Sequence, residues 1–207
     1  LKIDLITVGK LKEDYLRRAC EEYAKRLGSY CKLQIFELPE YKVPQNPSDA
    51  HIANCIQKEE HPIKIAPQSY VVAMCIEGKM LSSEDLAETF TQVQNRGMSQ
   101  LSFIIGGSWG LSDEVKQRAD FKLSMSRMTF PHQLARVMLL EQIYRACSIN
   151  NNSKYHKSAS LKLDTISRSG LVRNCSFRTR RSLVLTHSLV WEKKSFRPPL
   201  SKGGGVQ

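Results

Sequence analysis

Three short stretches of this chain carry residue types able to do chemistry. The first, Ser102-Phe-Ile-Ile-Gly-Gly-Ser-Trp-Gly110, is an apolar run ending in a glycine pair. It reads as a buried strand delivering the backbone into a tight turn. Glycine at 106 and 107 permits positive φ and lets a ligand approach the main chain without meeting a Cβ. Ser112, Asp113 and Glu114 then read as a helix start, with a capping hydroxyl and two carboxylates in the first turn. Strand, glycine turn and helix together suit a nucleotide or cofactor pocket, and equally an ordinary strand-to-helix connection. The glycines match neither G-x-G-x-x-G nor a phosphate loop, so a dinucleotide or ATP site is disfavoured. The second stretch is Ser124-Met-Ser-Arg-Met-Thr-Phe-Pro-His132, and the third is Tyr155-His156-Lys157. His156 titrates closest to physiological pH and so suits proton transfer. Taken alone, a histidine there reads more readily as a solvent-exposed passenger.

Elements must position these stretches, and the pattern supplies them. Alternation marks strands at 2–8 and 32–38, and a four-residue apolar step from Tyr15/Leu16 to Leu27 marks an amphipathic helix that Gly28 closes in the C′ position. A weakly patterned helix falls near 48–60. Residues 70–76 read as a strand buried on both faces, turned by Glu77-Gly78-Lys79. A helix capped by Ser82 or Ser83 runs to about Arg96, followed by the strand 101–105, a short helix 113–118 and a strand 121–126. Pro131 suits the first turn of a helix running to about Cys147. That helix is apolar on more than one side, so it must be buried by its own sheet and by a second surface, for which a homodimer contact is the economical candidate. Alternating strands and helices predict an α/β fold with a mainly parallel sheet flanked by helices.

Composition narrows the class. The 207 residues, 41% of them hydrophobic, suffice for a real core. The formal net charge of +11 is uneven: residues 1–157 carry +3 and residues 158–207 carry +8. Basicity is therefore a property of the tail, which has no sustained period and reads as a disordered basic extension, 158–207, behind one domain, 1–157. Its abrupt change of composition suits a read-through or frame-shifted gene end, and Leu1 suits an alternative start codon. Six cysteines without C-x-x-C spacing argue against zinc or thioredoxin chemistry and for reduced thiols in a cytoplasmic protein. No metal is expected. No apolar run reaches the roughly 18 residues that span a bilayer, and the N-terminus lacks a signal-peptide layout.

Seven motifs in one order carry a resemblance. Val8-Gly9-Lys10-Leu11-Lys12, Glu22-Tyr23-Ala24-Lys25-Arg26-Leu27, Gly78-Lys79-Met80-Leu81-Ser82-Ser83, Ile105-Gly106-Gly107-Ser108, Met128-Thr129-Phe130-Pro131-His132-Gln133, Glu141-Gln142-Ile143-Tyr144-Arg145-Ala146 and Tyr155-His156-Lys157 resemble the bacterial large-subunit rRNA methyltransferase H family of the SPOUT superfamily. The resemblance spans residues 1–157. It implies a C-terminal trefoil knot within about 102–157, a rare exception to unthreaded chains. It also implies S-adenosyl-L-methionine bound in the knot, a homodimer, and methylation of N3 of a pseudouridine in the helix 69 loop of 23S rRNA on the assembled ribosome. By match of position, the cofactor would be lined by Met74, by Gly106 and Gly107, and by Ser126, Arg127, Met128, Thr129, Phe130 and Pro131. Tyr155 and His156 would approach the partner's cofactor. Family members end near that motif, whereas this chain continues for fifty residues. A second reading is therefore a ribosome- or RNA-binding protein whose extension impairs catalysis.

Methyl transfer from a sulfonium is an in-line displacement, so the protein must hold donor and acceptor together and let the acceptor nitrogen lose its proton. Met74, Met128 and Phe130 suit apolar walls, and Met74 suits plain core packing as well. His156 is the candidate base for a weakly acidic imide. Arg136, Arg145, Lys154 and Lys157 suit phosphates, or simply a charged surface. His132 reads as a helix-start hydrogen-bond partner or as a catalyst.

Overall fold

Strands and helices alternate from the first residues onward. In the computed structural model, which describes residues 1–153 and 155, the order is β1 (Lys2–Val8), α1 (Asp14–Leu27), β2 (Lys32–Leu38), α2 (Asp49–Glu60), β3 (Tyr70–Met80), α3 (Ser83–Asn95), β4 (Gln100–Ile105), α4 (Asp113–Arg118), β5 (Phe121–Ser124) and α5 (His132–Asn150). The five strands form one sheet in the order β2-β1-β4-β3-β5, and every pairing is parallel. Lys154, His156, Lys157 and the proposed extension 158–207 lie outside the described residues.

Parallel strands covered on both faces need apolar side chains pointing both ways. Ile3, Leu5, Val72, Leu101 and Phe103 face the larger core, which α1, α3 and α5 cover. Ile6, Val71, Ala73 and Ile104 face a thinner core, closed by Leu111 and by Ile63, Ile65 and Val115. The helix near 48–60 forms despite its weak apolar period. Ser48 caps it, accepting from the His51 backbone N–H, while the His51 ring closes a reciprocal capping box.

Two expectations change. β3 does not stop at Ile76: it resumes after a bulge, with both Met74 and Lys79 opposite Leu123. Gly78 is needed there, since a Cβ would lie 2.7 Å from the Leu123 carbonyl carbon. Gly28 ends α1 in the right-handed region, at φ −56°, so no left-handed cap forms. Within the same chain, α1 and α3 both pack against α5. Leu139, Leu140, Ile143 and Ala146 are buried in consequence.

Core and edge positions should therefore respond differently. Leu140→Ala is expected to cost about 2–5 kcal/mol by leaving a cavity. Ile35→Ala, on the half-open edge strand β2, is expected to cost under about 1 kcal/mol. Urea unfolding of both variants checks the contrast, and equal losses would contradict this placement of the core.

Candidate active site

β4, β3 and β5 are neighbours running the same way, so their carboxyl ends share one edge of the sheet. Met74 stands opposite Ile105 on one side and Leu123 on the other. The turn entered at Gly106 and the turn that follows Ser124 therefore flank Met74. Open α/β sheets take ligands at such carboxyl edges.

The glycine turn is shaped by its own chain. Gly110 adopts φ +82° and its N–H donates to the Gly107 carbonyl at 3.1 Å. A Cβ on Gly106 would lie 2.2 Å from the Gly110 carbonyl oxygen, and one on Gly107 would lie 2.6 Å from Glu59 Oε2. The expected reason for the glycine pair is corrected accordingly. Positive φ belongs to Gly110, and the bare backbone at 106 and 107 admits Gly110 and Glu59. Glu59 is buried at the end of α2, where its Oε1 accepts the Tyr41 backbone N–H at 3.0 Å. Burial pushes its carboxyl above the ordinary range, and the Tyr41 N–H partly opposes that. Next to it, Glu60 Oε1 accepts the Ser112 backbone N–H at 2.7 Å, so the last turn of α2 holds the far side of the glycine turn as well.

The turn after β5 is tied locally. Ser124 Oγ donates to the Ser126 carbonyl at 3.0 Å, and Ser126 Oγ accepts from the Met128 N–H at 3.1 Å. Arg127, Met128 and Thr129 are exposed, Phe130 is half-buried, and Pro131 occupies the N-cap position of α5. His132 follows, and burial, the largest cause, lowers its pKa.

A cavity of about 560 Å³ opens beside Met74, bounded by β3, β5, α3 and α5 with Tyr23 of α1. Met74, Leu81 and Leu123 form apolar wall, and Ser83, Glu141 and Gln142 bring polar atoms. Ser83 Oγ donates to Gln142 Oε1 at 2.8 Å. Glu141 is tied to the chain beyond α5: the Tyr155 hydroxyl donates to its Oε1 at 3.0 Å. The same carboxylate pairs with Arg145, whose guanidinium lies 4.9 Å from the Tyr155 ring centroid. Tyr155 also packs edge-on against Tyr144, with centroids 4.6 Å apart. Burial, then the Glu141 carboxylate, pushes the Tyr155 phenol up to about 12.

Of the residues expected to line a cofactor, Met74 lines this cavity. Gly106, Gly107 and the run Ser126–Pro131 form the adjoining turns and are not part of its wall. Arg136 requires a correction. It is 1% exposed, with its guanidinium donating to Glu37 Oε1 at 2.5 Å and to the Gly9 carbonyl at 2.7 Å, so it has no free face for a phosphate. Arg145 is partly exposed and lies beside Tyr155. Glu141 and Gln142 had a legible signal, a polar pair interrupting an apolar helix. Glu59 had none, because only tertiary packing buries it. Among the described residues, Cys20, Cys31, Cys55, Cys75 and Cys147 are free thiols, no group of three or more His, Cys, Asp or Glu is placed to hold a metal ion, and no helix is long and apolar enough to cross a membrane.

Residues 1–156 match the family model described as "Predicted SPOUT methyltransferase". The chain is 54% identical over 159 residues, 76% of this chain and 100% of the other, to the ribosomal RNA large subunit methyltransferase H of Clostridioides difficile (strain 630). Among solved structures it is similar to a methylase family protein from Haemophilus influenzae Rd KW20, at 12% identity and TM-score 0.44 over 83% of this chain and 82% of that one. It is also similar to the tRNA (m1G37) methyltransferase of Aquifex aeolicus, at 11% identity and TM-score 0.42 over 70% of each chain.

Two measurements probe the glycine turn. Gly107→Val should lower the melting temperature, because its side chain meets Glu59 and Val8; an unchanged melting point would contradict the packing. Glu59, with its folded pKa raised, carries a burial cost when ionised that is relieved as the native state takes up a proton before the unfolded chain does. Against Glu59→Gln, the wild type should thus gain relative stability as pH falls toward about 4.3, the ordinary glutamate value. Denaturant unfolding of both proteins across pH reads the difference, and a gap independent of pH would contradict the burial.

Proposed function

This chain belongs to the ribosomal RNA large subunit methyltransferase H family, within the SPOUT methyltransferases, and from that premise we propose that it uses S-adenosyl-L-methionine to methylate N3 of a pseudouridine in the helix 69 loop of 23S rRNA on the assembled ribosome. Methylation of large-subunit ribosomal RNA comes with the family; the base, the atom and the particulate substrate are the further proposal. A homodimer, a trefoil knot within 102–157 and a cytoplasmic place of action belong to the same proposal.

The residues present fit such a donor. A cavity of about 560 Å³ lies within the range of small-molecule pockets, roughly 300–1,000 Å³. Met74, Leu81 and Leu123 offer apolar wall to an adenine ring or a thioether chain, and Glu141, paired with Arg145, adds polar lining. When bound, S-adenosyl-L-methionine supplies a methyl group on a positively charged sulfur. The main chain of Gly106 and Gly107 and of the run Ser126, Arg127, Met128, Thr129, Phe130 and Pro131 would hold the adenosine by amides and carbonyls, which discriminate a base edge without side-chain bulk.

Proton handling divides between two neighbours. Tyr155, with its phenol pushed up to about 12, stays neutral near physiological pH and acts as a donor that fixes Glu141. His156 is then the group to take the N3 proton, since an ordinary histidine is largely unprotonated above about pH 6.5. Arg145, Lys154 and Lys157 would hold phosphates and set the register of the RNA. One observation carries the reading: the cavity beside Met74 is joined through Glu141 to Tyr155, and the next residue is His156.

Ribosomes lacking the methyl mark and a tritiated donor test this. Wild type should label one pseudouridine of 23S rRNA at N3. His156→Ala should lower kcat by about 10²–10⁴-fold and remove the acid limb of the pH–rate profile, with donor affinity unchanged. Full activity in that variant would remove His156 from the proton step, and label on another base would overturn the proposed target.

A further inference from the structure

Two buried thiols that methyl transfer leaves unused meet where the turn between α1 and β2 packs on the last turns of α5. Cys31 closes that turn and Cys147 lies on α5, and both belong to the main apolar core. The contact is anchored one helical turn earlier, where Tyr30 packs edge-on against Tyr144 with ring centroids 5.8 Å apart. Residues three apart on a helix share a face. The sequence neighbour of Tyr30 thus meets the helical neighbour of Tyr144, and the Cys147 thiol donates a hydrogen bond to the Cys31 sulfur. Backbone holds both positions. The Cys31 N–H donates to the Leu27 carbonyl at 2.9 Å, and the Cys147 carbonyl accepts the Asn151 backbone N–H at 3.1 Å and its side-chain amide at 2.8 Å.

Burial ordinarily makes a thiol inert by disfavouring its thiolate. Cys20 follows that rule, pushed up to about 11, and burial raises Cys55 and Cys75 as well. Cys147 is raised too, first by its bond to Cys31 and then by burial. Cys31 goes the other way, because the bond from Cys147 favours its thiolate by more than burial opposes it. A small reagent also has a way in. A cavity of about 320 Å³ is lined by Cys147 with Tyr30, Phe90, Gln94, Asn150 and Asn151, and of these Gln94 and Asn151 are exposed. That is ample for a molecule little larger than water, whose share of the liquid is about 30 Å³.

We propose that Cys31 and Cys147 form a peroxide-reactive dithiol that closes to a reversible disulfide. The reaction goes beyond methyl transfer and does not depend on it. The Cys31 sulfur attacks one oxygen of hydrogen peroxide; the O–O bond breaks, Cys31 becomes a sulfenic acid, and the other oxygen leaves as water with the Cys31 proton. The Cys147 sulfur then attacks the sulfenic sulfur; the S–S bond forms, the S–O bond breaks, and the hydroxyl leaves as water with the Cys147 proton. Two thiols lose two electrons in all, and one peroxide is reduced to two waters. A small thiol reverses the bond by exchange. When closed, the bond ties the α1–β2 turn to the end of α5, the helix whose Tyr144 packs against Tyr155.

The full chain, reduced and then exposed to hydrogen peroxide without denaturant, provides the test. Mass spectrometry after alkylation of the remaining thiols should find peptides joined through Cys31 and Cys147, separated again by dithiothreitol. The oxidised protein should melt about 5–10 °C above the reduced one. Cys147→Ser keeps a hydroxyl donor beside Cys31 but cannot close the bond, so it should stop at a Cys31 sulfenic acid that dimedone traps. Wild type in which both thiols stay free for alkylation overturns the proposal. So does wild type in which either thiol joins Cys20, Cys55, Cys75 or Cys175 instead, and these two outcomes stand even if the variant fails to fold. A folded Cys147→Ser protein that takes up no dimedone at Cys31 overturns the order of the steps, and a melting temperature that does not rise overturns the tie to α5.

Discussion

A buried guanidinium holds the two halves of this domain in register. Arg136 enters the core one turn into α5 and must be partnered there, since an unpaired charge in that setting costs several kcal/mol. Its partners are Glu37 at the end of β2 and the Gly9 carbonyl just past β1. Both lie at the carboxyl ends of their strands, so the start of α5 is pinned to that edge of the sheet. Glu37 remains about one-third exposed, so solvent screens part of the pair. The helix that follows can then lay Leu139, Leu140 and Ile143 into the main core, with α1 and α3 both packed against it.

Pinning α5 this way has a consequence for chemistry. With its first turn fixed at the strand ends, the next two turns bring Glu141 and Gln142 to the wall of the Met74 cavity. Glu141 in turn meets Arg145 and Tyr155, so the chain leaving α5 folds back toward the same place. The Tyr155 phenol, protonated near neutral pH in any case, donates to that carboxylate at 3.0 Å. A network of this kind is stiff when every member is satisfied, and stiffness is what orienting a reactive end requires.

The glycine turn shows how closely a pocket wall and a packing solution can resemble each other. Glycines at 106 and 107 read naturally as room for a ligand. The space beside their α-carbons is taken by Gly110 and Glu59, and the positive φ sits at Gly110. What the glycines secure is a compact turn at the end of β4, clamped by consecutive carboxylates of α2 that hold the Tyr41 and Ser112 amides. A ligand at this edge meets backbone already held in place.

Local pattern determined the alternation of strands and helices, the breaks between them and the family motifs, because period and capping depend on near neighbours in sequence. Even the weak helix α2 was legible from Ser48 and Asp49. The family resemblance grouped Met74 with 106–107 and 126–131; in the fold the two turns follow the strands that flank Met74, and of these residues Met74 lines the cavity. Tertiary structure decided the rest. Arg136 had the residue type of a phosphate contact, yet packing turned it inward against Glu37, ninety-nine positions away. That α5 is buried on more than one side was legible in its apolar residues, but only the fold could say that α1 and α3 both pack against it. The β3 bulge depends on how β5 approaches Gly78, and the Glu59 carboxylate is notable only once buried. Sequence carries what a residue prefers within its own few neighbours; which distant group desolvates it, pairs with it or crowds its Cβ is settled when the sheet is assembled.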